Sequence, residues 1–161
     1  MDQDSQKNYK NFKKERHLTF LNYDKKRHLE LLKKKSISIE SEENYPELLK
    51  YSAMLNRHLD WETCHQYLEL LEEFLKENIS ISDFCSEFCK RGSLNSDAVA
   101  ILESNLILLS PHEKSLEFSE LLEEIFDECE HFDGEEDLTG DEFRNSIEKS
   151  FVKIKKYLNE K

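Results

Sequence analysis

Glycine and proline are nearly missing from this sequence, with three Gly and two Pro in 161 residues. Few positions therefore favour hairpin turns or sheet corners, and the abundance of straight-chain residues predicts helices rather than strands. No apolar run approaches the ~18 residues that a membrane-spanning helix requires. The opening Met1-Asp2-Gln3-Asp4 leads into lysines without an apolar stretch, so no secretory signal is expected. The four cysteines, Cys64, Cys85, Cys89 and Cys129, are then expected to be free buried thiols. That places the protein in the cytoplasm, or in a plastid stroma if an organelle encodes it. Arginine is scarce too, at five against eighteen Lys, a bias expected of an AT-rich genome such as an organelle, plasmid or symbiont.

What is present is charge and enough apolar matter to bury. Charged residues make up 36% of the chain and apolar residues 37%, which is enough to fill a small bundle core and too apolar for wholesale disorder. The charge is divided unevenly. Residues 1–36 hold eleven Lys/Arg and five Asp/Glu, whereas residues 37–161 hold twelve and thirty. A basic arm joined to an acidic body is expected, with a polar linker closing the arm at residue 43 and the helical bundle filling 44–161.

Periodicity places the helices. One starts near Asn44 with Pro46 in its first turn, where a missing N–H is harmless. Asp60 reads as the N-cap of a second, over 61–77, whose stripe is Trp61, Cys64, Leu68, Leu71 and Leu75. Ser80 opens a third with Asp83 three residues on, carries Phe84 and Phe88, and is expected to stop at Arg91-Gly92. A short helix is expected between Ala98 and Leu109, and a long one over 115–131 on Phe118, Leu121, Leu122, Ile125 and Cys129. Thr139-x-x-Glu142 reads as the capping box of a last helix carrying Phe143, Ile147, Phe151 and Ile154. The expected fold is all-α, an antiparallel four-helix bundle with a basic N-terminal extension. One core should hold Trp61, Leu68, Leu71, Leu75, Phe84, Phe88, Leu122, Ile125, Phe126, Phe143, Ile147 and Phe151.

Signs of catalysis are missing. There is no Gly-rich phosphate loop, and His112-Glu113 is followed by Leu116 where a zinc protease would place a second His. The loop from Asp133 to Asp137 looks like a calcium loop but puts Leu138 and Arg144 where an EF-hand needs Gly and Glu. Cys85 and Cys89 can supply half a zinc site with Cys64, His65, Cys129 or His131, but Cys129 continues a core stripe, and neither metal nor cofactor is expected. The chain is not expected to be an enzyme.

The outstanding feature is acidic. Between His112 and Glu148 stand fifteen Asp/Glu and two bases, Lys114 and Arg144. Glu120–Glu124, Glu123–Asp127, Glu124–Glu128 and Asp127–Glu130 are like-charged neighbours, each costing a few tenths of a kcal/mol. Two readings fit: a solvated face that keeps the protein soluble, or a surface that binds a cationic partner. The candidate partner-binding residues are Glu120, Glu124, Asp127, Glu128, Glu130, Asp133, Glu135, Glu136 and Asp137. The basic arm, with Tyr9, Phe12, Phe20 and Tyr23 among lysines, is either a solubilising tail dispensable for folding or a weak contact for RNA.

Two stretches carry a resemblance. Residues 67–84 run as an apolar helix, a short turn and Ile79-Ser80-Ile81-Ser82-Asp83-Phe84. Residues 121–137 contain Glu124-Ile125-Phe126, then Glu130-His131-Phe132, then an acidic loop. Together they resemble the colicin D immunity family over about residues 65–158, with an insertion around 92–115. The resemblance implies a small acidic four-helix bundle that neutralises a tRNA-cleaving toxin by covering its basic active-site cleft. It would place the toxin-facing carboxylates at Glu130, Asp133 and the loop to Asp137. The first 60 residues have no counterpart in that family. The alternative is a non-enzymatic assembly protein that bridges partners through its basic arm and acidic body.

Overall fold

A computed structural model of the chain describes residues 23–37, 44–132 and 136–159. Within them the protein is all-α, with six helices: α1 Lys25–Ile37, α2 Tyr45–Glu62, α3 Cys64–Leu75, α4 Ile81–Ser104, α5 Ser115–His131 and α6 Glu136–Asn159. No helix among the described residues is long and apolar enough to cross a membrane.

The expected core forms across α3, the first half of α4, α5 and α6. Leu71, Phe84, Phe88, Leu122, Ile125, Phe143 and Ile147 are buried in it, and Trp61, Leu68, Leu75, Phe126 and Phe151 pack on its margin. Phe74 and Phe84 stack at 4.5 Å, and Phe143 meets Phe74 edge-on at 5.7 Å. Offset and edge-to-face rings add to the stabilisation from area burial alone.

A second core lies beyond it. Leu31 and Leu32 of α1 join Leu48, Tyr51, Met54 and Leu55 of α2, Val99 of α4, Leu108 and Leu116. Helix α1 is therefore packed, and the expectation of a freestanding basic arm fails over its described side chains. The reason is that its buried set, His28, Leu31 and Leu32, recurs at helical spacing within a lysine-rich stretch that masks it. Arg27 forks onto Glu47, Nε to Oε1 at 2.9 Å and Nη2 to Oε2 at 3.0 Å. This hydrogen-bonded pair holds the Glu47 carboxyl below its usual range. His28 is wholly buried between two partners: the Tyr23 hydroxyl lies 2.9 Å from Nδ1, and Nε2 lies 2.8 Å from Glu103 Oε2. Ser52 donates to that same carboxylate oxygen at 2.6 Å. The expected aromatic arm residues Tyr9, Phe12 and Phe20 lie outside the described residues.

Helix boundaries differ from expectation at several places. Asp60 is not an N-cap: α2 runs through it to Glu62, and its carboxylate turns inward to accept from Tyr67 Oη and Asn95 Nδ2, both at 2.7 Å. The break falls instead at Thr63, whose hydroxyl bonds back to the Leu59 carbonyl at 2.8 Å. Helix α4 does not stop at Arg91-Gly92 but continues to Ser104. A Cβ on Gly92 would sit 3.1 Å from the Phe126 ring, so this glycine lets α4 press against α5. Helix α6 begins at Glu136, ahead of the Thr139 capping box, and carries Gly140 buried against Ile81.

With so little glycine, two helices end on other residues. After α3, Glu77 takes φ 63°, its N–H bonding the Phe74 carbonyl while Asn78 N–H reaches Glu73. After α4, Leu106 takes φ 55° with the same pair of bonds, to Glu103 and from Ile107 to Leu102. These are Schellman stops built without glycine, at a cost of about 1 kcal/mol each. The expected helix over 98–109 is thus the tail of α4, cut at Ser104. Ser80 caps α4 as expected, accepting from Asp83 N–H at 3.1 Å.

The buried Asp60 has a pH consequence. Burial raises its pKa, and the bonds from Asn95 and Tyr67 offset this only in part. The folded state therefore holds the proton to higher pH than the unfolded chain does. Stability is fullest below the unfolded pKa near 3.8 and falls as pH rises toward the folded value. Asp60→Asn keeps an oxygen acceptor for both donors without the charge. Urea unfolding between pH 4 and 7 should show the variant losing that decline and matching or exceeding the parent at neutral pH. A variant that is less stable at every pH would mean the charge itself is needed.

Candidate partner-binding surface

Helix α5 turns its apolar residues inward and its carboxylates out. Leu116, Phe118, Leu122 and Ile125 are buried, and Ser115 and Ser119 are small enough to be buried beside them. Ser115 anchors the first turn by donating to the His112 carbonyl at 2.6 Å. At 100° per residue, Glu117, Glu120, Glu124, Asp127 and His131 fall on the outer line of the helix.

The candidate carboxylates do not form one uniform face. Glu120 and Glu124 stand with Glu117, Leu121, Lys153, Lys156 and Tyr157 around an open groove of about 440 Å³ between α5 and α6. Lys153 Nζ lies 3.3 Å from Glu124 Oε2, with both side chains about half exposed, so the pair contributes under about 1 kcal/mol. The acidic run is therefore partly countered from across the bundle, by bases that its own helix does not contain. Tyr157, also lining the groove, donates to the Lys114 carbonyl at 2.8 Å, and burial pushes its pKa up to about 12. Glu130 lies toward α4, where burial first, then the charges of Cys85 and Glu130, push the Cys89 thiol up.

Glu120, Asp127, Glu128 and Glu130 have no ion pair among the described residues. Asp127, Glu130 and His131 are exposed, whereas Glu120 and Glu128 are half-buried. His131 ends the stripe with its ring bonded to the Asp127 carbonyl at 2.7 Å. That bond, reinforced by Glu130, Asp127 and Glu128, raises its pKa, which favours a cation where the helix dipole is negative. Asp133 and Glu135 lie outside the described residues. Glu136 and Asp137 open α6, which is all the structure describes of them.

Sequence reading missed Lys153, Lys156 and Glu117 as part of this surface. The signal was available: two lysines three apart on the last helix face the preceding helix if the two pack side by side. Arg144 does not join them, as its guanidinium lies 4.7 Å above the Phe74 ring. No group of three or more His, Cys, Asp or Glu among the described residues is placed to hold a metal ion. Compared with protein-family models, with curated proteins and with solved structures, the chain finds no match.

Proposed function

We propose that the outer stripe of α5 is a docking surface for a basic protein, and that the protein acts by binding rather than by catalysis. The observation that supports this reading most is the outer line Glu117, Glu120, Glu124 and Asp127, carboxylates three or four residues apart on one helix, of which Glu120 and Asp127 have no ion pair among the described residues. Such a set gives up a few tenths of a kcal/mol per pair and, facing water, raises the encounter rate with a cationic surface. In its most specific form the partner is a tRNA-cleaving toxin domain of the colicin D type, whose basic cleft the carboxylates would cover in place of substrate phosphates. The resemblance of residues 65–158 to that immunity family supports this form.

The test combines function with folding. Titrated against a nuclease domain of that type, the protein should suppress tRNA cleavage, less so as salt is raised. The double reversal Glu120→Lys, Asp127→Lys should abolish suppression. It should leave folding stability unchanged or slightly higher, because each new lysine gains opposite-charged neighbours at i±3 and i±4. Suppression that survives the reversal would remove α5 from the mechanism.

A second reading has one observation in its favour: α1 presents Lys25, Lys26 and Lys34 to solvent. In it, α1 meets a polyanion while α5 meets a base. Association with RNA that disappears on replacing those three lysines, and not on reversing α5, would select it.

A further inference from the structure

Three of the four cysteines lie along one seam. Cys85 and Cys89 stand one turn apart on α4, and Cys129 stands on α5. The two helices run antiparallel, as their contacts fix the register. Val99 of α4 shares the second core with Leu116 of α5, and Phe88 meets Phe126 at 4.8 Å between ring centroids. Each step back along α4 is thus matched by a step forward along α5, and the turn after Phe88–Phe126 brings Cys85 opposite Cys129. Gly92 lets the helices close in at this seam, because a Cβ there would press into Phe126.

The two thiols pack against the same core and are close enough to perturb each other, both half-buried, whereas Cys89 is exposed and Cys64 lies on α3. The interaction with Cys129 lowers the pKa of the Cys85 thiol, while the same interaction and burial push the Cys129 thiol up. Cys85 is then the better thiolate and Cys129 the proton holder beside it, an arrangement suited to thiol–disulfide exchange.

We propose that Cys85 and Cys129 are a reversible oxidation site, closed to a disulfide by a small disulfide of the glutathione type. The Cys85 thiolate attacks one sulfur of the oxidised glutathione, forming a mixed disulfide and releasing one glutathione thiolate. Cys129 gives its proton to that thiolate and attacks the Cys85 sulfur, releasing the second glutathione, which takes a proton from water. Two cysteine thiols are oxidised and one glutathione disulfide is reduced to two thiols. The product staples α4 to α5 near the C-terminal end of the acidic helix. The inference does not depend on what α5 binds.

The experiment incubates the full chain in glutathione buffers of rising oxidised fraction, then counts free thiols by alkylation and maps linked peptides by mass spectrometry. The four thiols should fall to two, with a single Cys85–Cys129 link. The thermal midpoint should rise by about 10 °C, as the bond closes a loop of more than forty residues. Cys89→Ser should change neither result, and Cys129→Ser should remove both the link and the rise. Glutathione found only on Cys89, a link that includes Cys89, or four thiols persisting at the highest oxidised fraction would each overturn the proposal. Should Cys129→Ser fail to fold, the peptide map of the unaltered chain decides alone.

Discussion

Replacing Phe88 with alanine should lower folding stability by about 3–5 kcal/mol, measured as the shift of the urea midpoint at constant slope. The side chain has no exposed surface and is ringed by aromatics: Tyr67 at 5.1 Å, Phe84 at 5.4 Å and Phe126 at 4.8 Å between centroids. Aromatic neighbours are rigid, so the space left behind cannot easily collapse. The loss also reaches beyond volume. Phe126 rests on both Phe88 and the Gly92 approach, so losing Phe88 removes one of the contacts that hold α4 and α5 in register. A cost under about 1.5 kcal/mol would show that the rings repack and that the core is looser than its burial implies.

His28→Ala should cost about 2–4 kcal/mol, an effect that a solubilising arm would not produce. The ring satisfies two partners at once, hydrogen-bonded to the Tyr23 hydroxyl at Nδ1 and to the Glu103 carboxylate at Nε2. Its removal leaves the Glu103 carboxylate, only 15% exposed, without its ring donor while Ser52 still points at it. Tyr51, whose ring is tilted against the imidazole at 5.5 Å, loses that contact as well. Deleting residues 1–36 should be worse, since it uncovers Leu48, Tyr51, Met54 and Leu55 together. The sequence reading expected such a deletion to be nearly silent. A denaturation midpoint unchanged by His28→Ala would restore that expectation.

These two positions show where a single sequence is informative. Phe88 was legible because Phe84 and Phe88 lie four apart behind a Ser80 cap, and local rules of spacing and capping suffice there. His28 was not, because its meaning depends on Glu103, 75 residues away. Asp60 misled for the same reason: beside Trp61 it looks like a cap, yet Tyr67 and Asn95 claim it across two other helices. Glycine signals proved ambiguous in the same way. Gly92 reads as a stop by local propensity, and the close passage of α5 turns it into a packing residue. For the candidate surface, the carboxylates on α5 could be named from sequence, whereas the countering Lys153 and Lys156 required knowing that α6 lies alongside.

Helix α5 lends Leu116 to one core and Leu122 and Ile125 to the other, so it is clamped along its inner side from one end toward the other. Its outer side is consequently a ruler with fixed graduations. Glu117, Glu120, Glu124 and Asp127 mark off about 15 Å at the rise of an α-helix. Under the proposed docking, the backbone holds these carboxylates at fixed intervals, so only their side chains have to order at the interface. On that proposal recognition becomes a matter of spacing: cations set along a cleft at matching intervals would be engaged together, and those set otherwise would meet the same charge without the fit.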